Sequence, residues 1–159
     1  MNSRNKTDRY FQIAKVLLTL TPVLYLVYMT AYGKAGGLQV TELIRSEPAM
    51  AVAFLTAMLN PFAAYLLGYA QRKTESGDYA YATANIMSLI AVELILMNLV
   101  YAVLLTAVFV RVKKDSGLSL GKLFKPYSFK RLLYDIFGSL VMLPVAGLCL
   151  FAQLRLMIR

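Results

Sequence analysis

Four long apolar runs alternate with short polar stretches along the chain: Phe11–Tyr32, Ala49–Gln71, Ile86–Val110 and Ile136–Ile158. Each is close to the ~20 residues that a helix needs to cross a hydrocarbon core of about 30 Å. The pattern predicts an all-α integral membrane protein. Four transmembrane helices form an antiparallel bundle, and a basic, aromatic-containing interfacial segment joins helices 3 and 4. Residues 1–159 are expected to form one membrane domain, with spans 11–32, 49–71, 86–110 and 136–158 and an interfacial loop 111–135.

The third run organises the others. It is the longest, about 37 Å as a continuous helix, so it tilts or protrudes. It also holds Glu93, the one acid inside an apolar run. Its fifteen Leu, Ile, Val and Phe residues favour insertion by about 5–9 kcal/mol, against roughly 3 kcal/mol for a charge near the centre. Insertion wins.

Local signals refine the elements. The first run follows Arg4, Lys6 and Arg9 and is interrupted by Lys15 and Thr21-Pro22. It exceeds the roughly 7–15 residues of a signal-peptide core and is expected to be an uncleaved anchor. Gly33, Gly36 and Gly37 break the chain into a loop that ends at Pro48, with Ser46 expected to cap the second helix. In that helix Ala49, Ala53, Ala57, Ala64 and Gly68 offer a small-residue face for close packing in lipid. Asn60-Pro61 interrupts it midway. In the long loop, Lys122, Lys125, Lys130 and Arg131 are interleaved with Leu, Phe and Tyr. That mixture suits a segment lying among headgroups and docking on lipid or a partner.

With four crossings, Lys and Arg divide eight against nine between the two sides, so the positive-inside rule gives no orientation. Dual insertion, a re-entrant second segment, or a partner that decides the orientation would each account for the tie.

Depth counting places Pro22, Asn60-Pro61, Asn98, Pro144 and Gly147 about 15–21 Å deep, near one mid-bilayer level. Two readings stand. Broken helices there present polar groups to a substrate or ion, or the two Asn side chains simply hydrogen-bond across the bundle. Glu93 counts to about 10 Å from the N-terminal side, within reach of Lys15, Arg155 or the Tyr65 hydroxyl. A carboxyl group without a partner charge in hydrocarbon is favoured in its neutral form. The candidate intramembrane polar site is therefore Glu93, Lys15, Asn98, Asn60, Pro61 and Arg155.

Composition narrows the function class. The chain has 159 residues, 59% hydrophobic, with net charge +9, no His and one Cys, Cys149. The absent His removes imidazole acid–base chemistry and most transition-metal sites. Cys149, in an apolar run, is expected to be a packing residue. Glu93 has no second acid, base or nucleophile near it in sequence, and no phosphate loop is present, so no enzyme, cofactor or metal is expected. The positive charge is expected to meet anionic lipid headgroups, and no nucleic acid is expected as a partner. The function expected is an accessory or interaction subunit within the bilayer, with a protein partner or as a homo-oligomer. The alternative is a small oligomeric transporter or channel using Glu93 and the midplane Asn and Pro positions. The expected location is the cell membrane, multi-pass, of the bacterial cytoplasmic type.

Overall fold

The computed structural model describes residues 3–117, 121, 128, 130, 133–134 and 136–158. Six helices are described there, and no strand. They are α1 (Ser3–Ala35), α2 (Val40–Ser46), α3 (Pro48–Glu75), α4 (Tyr79–Ile95), α5 (Leu99–Ser116) and α6 (Phe137–Met157). By length and composition, α1, α3 and α6 are apolar and long enough to cross a membrane, and α4 is a shorter apolar helix.

The largest correction falls on the third run. Ile86–Val110 is not one helix. It is divided at residues 96–98 between α4 and α5, which pack along each other as a hairpin. The hairpin leaves and returns at the same end of the molecule. At its start, the Tyr69 and Tyr81 rings meet across α3 and α4 at 5.6 Å. At its finish, the Thr7 hydroxyl of α1 donates to the Asp115 carboxylate of α5. Between these, the hydroxyls of Thr21 and Tyr101 hydrogen-bond, so α5 runs antiparallel to α1.

The other helices follow from similar pairings. Gln71 of α3 donates to Asp8 of α1 at 3.3 Å, and the Tyr25 and Phe54 rings stack at 6.3 Å, so α1 and α3 are antiparallel. Gly138 of α6 lies against Leu66 of α3, and Arg155 lines a cavity with Pro48. Hence α6 also runs antiparallel to α3, and its C-terminal end lies at the opposite end from the N-terminus. The core is shared by all five long helices, with Phe11, Leu18, Leu67, Ile86, Leu89, Leu105, Val108 and Met142 buried.

Turn chemistry explains the short connections. Asp78 caps α4 by accepting the Tyr81 N–H at 3.2 Å, and Gly77 before it sits at φ 84, where a side chain would be strained. Pro48 opens α3, where its missing N–H costs nothing. The N-cap of α3 is Glu47 rather than the expected Ser46, whose hydroxyl instead closes α2 on the Glu42 carbonyl. Pro22, Pro61 and Pro144 all lie inside continuous helices. The expected helix breaks at those prolines are therefore absent, and Pro144 and Gly147 face outward. The segment expected to be an interfacial loop begins later than predicted, because α5 continues to Ser116.

Candidate functional site at the hairpin tip

The tip turns through a well-defined helix stop. Met97 adopts φ 57, in the left-handed region. The Met97 N–H donates to the Leu94 carbonyl at 3.1 Å, and the Asn98 N–H donates to the Glu93 carbonyl at 2.8 Å. These two bonds form a Schellman motif, with Leu96 at the C-cap and Asn98 two residues beyond. An apolar contact often joins the residues at Glu93 and Asn98 in this motif. Here the Asn98 side-chain amide donates to Glu93 Oε2 at 2.9 Å instead. Because it does so, Asn98 gives no side-chain cap to α5, which begins directly after it.

Met97 lacks glycine's freedom at its positive φ and is 55% exposed, so its side chain packs little. Met97→Gly is expected to stabilise the tip by about 1 kcal/mol, read as a raised thermal midpoint in mild detergent.

Glu93 is fully buried. Its Oε2 is held by Asn98, and its Oε1 has no hydrogen-bond partner in the protein. No ion pair to Glu93 exists among the described residues. Asn60, which lines one cavity with Asn98, is 1% exposed, with neither its Oδ1 nor its Nδ2 partnered. Asn60 and Asn98 line a cavity of about 210 Å³, together with Thr21, Tyr25, Thr56 and Gln153 over a floor that includes Ala53, Ala57 and Leu96. In a low-dielectric interior an unmatched amide or carboxyl oxygen costs several kcal/mol. These groups are therefore set to bind something from outside the chain. A carboxyl group in such a place is either neutral or has a cation brought to it.

The sequence-predicted residues divide clearly. Glu93, Asn98 and Asn60 come together, and Pro61 follows Asn60 within α3 without entering the cavity's lining. Lys15 does not reach Glu93, because its stem lies against Gly68 of α3. Arg155 lines a different cavity, of about 320 Å³, between Pro48 and Val52 of α3 and Phe151, Ala152 and Leu156 of α6. The expected Lys15 or Arg155 ion pair is thus replaced by the Asn98 amide, and Tyr65 faces outward. The depth of Glu93 changes too. α4 starts at Tyr79 rather than Ile86, so Glu93 lies about 21 Å along it, level with the tip rather than shallower. Of the docking residues, Lys130 is exposed, while Lys122, Lys125 and Arg131 lie outside the described residues.

Three further contributors were not anticipated: Thr21, Thr56 and Gln153. Each is a polar residue within a long apolar run, which was the only signal available for them. Thr83 of α4 and Ser139 of α6 are also fully buried, and their hydroxyls have no partner in the protein.

No family model, curated protein or solved structure matches the chain.

Proposed function

We propose that this protein is a small multi-pass membrane transporter or channel that handles a monovalent cation at the hairpin tip. One observation carries the reading. A fully buried carboxyl group keeps one unpartnered oxygen, its other oxygen is held by Asn98, which lines the tip cavity, and no ion pair reaches it among the described residues. Charge balance then sets the ligand class. One carboxylate is neutralised by one monovalent cation, the proton included, whereas a divalent ion or an anion leaves a net charge buried. The site's helix-end geometry, an interrupted helix deep in an apolar bundle, is the kind that transporters use. The carrier would work as a homo-oligomer, since so small a bundle encloses little room. In liposomes under an imposed pH or cation gradient, the purified protein is expected to dissipate the gradient, and Glu93→Gln to abolish the flux while keeping the helical circular-dichroism spectrum. Equal flux from both proteins would sink the proposal.

The hairpin also supports an orientation. If α4 and α5 return to one face, the segments at the N-terminal end carry thirteen Lys and Arg residues, against Lys34, Arg45, Arg155 and Arg159 at the other. The positive-inside rule then places the N-terminus in the cytoplasm, and the C-terminus across the cell membrane. Anionic headgroups are the partners of that basic end.

A second reading, the accessory or interaction subunit, is favoured by one feature. Ile13, Leu20, Leu24 and Val27 are all exposed along one face of α1, a ridge that suits either lipid or a partner helix. Co-purification of a second protein at fixed stoichiometry in mild detergent would carry that reading.

A further inference from the structure

We propose that the cation is the proton, and that it travels between the tip and the N-terminal end along the seam where α3, α4 and α6 meet. This rests on the transport reading above and adds the route and the relay residues.

The seam is built from one face of each helix. On α6, Ser139, Met142, Ala146, Cys149 and Gln153 recur at helical spacing, and the first four are buried. On α4, the buried Thr83, Ile86, Leu89 and Glu93 face inward. On α3, the buried Asn60, Ala64, Leu67 and Gln71 do the same. The three helices pack pairwise against one another. Polar groups sit at three levels of this column. At the top are Asn60 and Gln153, which line the tip cavity, and Glu93 Oε1, on the carboxyl group held by the cavity-lining Asn98. At the bottom, Gln71 donates to Asp8 at 3.3 Å and to Glu75 at 3.4 Å.

The middle level is Thr83 and Ser139. The Tyr69–Tyr81 contact and the Gly138–Leu66 contact place both near residues 65–67 of α3. They behave unlike six other hydroxyls of the bundle. Thr21, Thr30, Thr56, Thr74, Ser88 and Thr106 each donate to the carbonyl four residues earlier. Thr83 and Ser139 are completely buried, and their hydroxyls have no partner in the protein. A helical Ser or Thr has that local bond at hand. Two that forgo it at one level, facing a common seam, are placed to hydrogen-bond water.

The seam between levels is lined by Ile86, Leu89, Leu67 and Met142, all buried. That is too tight and apolar for a hydrated alkali ion. A proton needs only a file of waters that enter this stretch transiently, since its apolar lining gives a standing water no partners. Asn60 stands five to seven residues from the Thr83–Ser139 level, roughly 8–10 Å by helix rise, a gap of two or three hydrogen-bonded waters, about 2.8 Å apart. A proton enters from the tip cavity onto Glu93 Oε1, leaves it for the file, and passes the two hydroxyls to the Asp8–Gln71–Glu75 end. No bond other than O–H is made or broken, and the imposed gradient drives the movement.

The test uses the full chain in liposomes, with a trapped pH-sensitive dye and the membrane potential clamped. Reaction of Glu93 with dicyclohexylcarbodiimide, which modifies protonated carboxyls in apolar surroundings, reports that the tip is folded. Thr83→Val combined with Ser139→Ala is expected to cut proton flux by roughly 10²-fold, with Glu93 labelling retained. Restoring one hydroxyl, as in Thr83→Ser combined with Ser139→Ala, should recover flux. Undiminished flux in the Thr83→Val, Ser139→Ala protein, with flux lost in Glu93→Gln, overturns the seam and leaves the transport reading standing. Loss of Glu93 labelling together with flux in the double variant overturns it too, because the hydroxyls would then be structural. Sodium flux in place of proton flux overturns the choice of ion. No flux from the unaltered protein overturns both proposals.

Discussion

In a chain whose own cysteine is removed by Cys149→Ser, Ser76→Cys and Ser128→Cys are expected to react with a membrane-impermeant maleimide from the same face, and Leu38→Cys only from the opposite face. The difference is close to all-or-none, because a charged reagent crosses the bilayer far more slowly than it reacts. Ser128 and Leu38 are exposed, Ser76 lies in the turn before Gly77, and serine is close in size to the buried Cys149 that it replaces, so the substitutions disturb little packing. The hairpin decides the result. α4 begins just after Ser76 and α5 ends at Ser116, both at the N-terminal end, so an even number of passes separates Ser76 from Ser128. A single span over 86–110 would separate them by one crossing and put them on opposite faces. Labelling of Ser76→Cys and Ser128→Cys from different faces would therefore remove the hairpin from the membrane-embedded protein. The orientation and the tip site drawn from it would go too.

Much of this fold is readable in the sequence. The runs that become α1, α3 and α6 are apolar over a membrane's thickness, and the turns at Gly36-Gly37 and Gly77-Asp78 carry their own chemistry. The hairpin is a different matter. Leu96 and Met97 favour helix, and neither Pro nor Gly marks the break. What stops α4 is a side-chain lock, Glu93 to Asn98, whose five-residue spacing is that of a Schellman motif's closing contact. In sequence that spacing reads as two isolated polar residues. Two symptoms were visible. The run was too long for one span, and the charge count tied at eight against nine. The tie came from counting one crossing where the chain turns back. The same turn moves Glu93, whose depth counts from Tyr79 rather than from Ile86. Lys15 and Arg155 are the partners that charge complementarity, the simplest remedy for a buried acid, offers it in sequence. The fold uses an amide instead and leaves one oxygen free. Thr83 and Ser139 could not be singled out in sequence at all, because hydroxyls in membrane helices usually bond their own backbone.

Structural and chemical roles of the lock can be separated by exchanging it for the apolar contact that the motif ordinarily uses. Glu93→Leu alone leaves the Asn98 amide without its acceptor at a half-buried tip, a loss of about 1–3 kcal/mol. Asn98→Leu alone strips the last hydrogen bond from a fully buried carboxyl group and is expected to cost about 3 kcal/mol or more. In the double variant Glu93→Leu, Asn98→Leu, two leucines meet at the positions where a hydrophobic pair closes a Schellman motif, and no orphaned group remains. Its thermal midpoint in mild detergent should return close to that of the unaltered protein, a coupling of about 4 kcal/mol or more across the pair, the sum of the two single losses. Transport should stay abolished, since no carboxyl group remains to take the cation. A double variant as unstable as the sum of its parts would mean that Glu93 and Asn98 do not act as one lock. One that is stable and still conducts would leave Glu93 a structural residue, and the cation would have to bind on Asn60 and Gln153 without it.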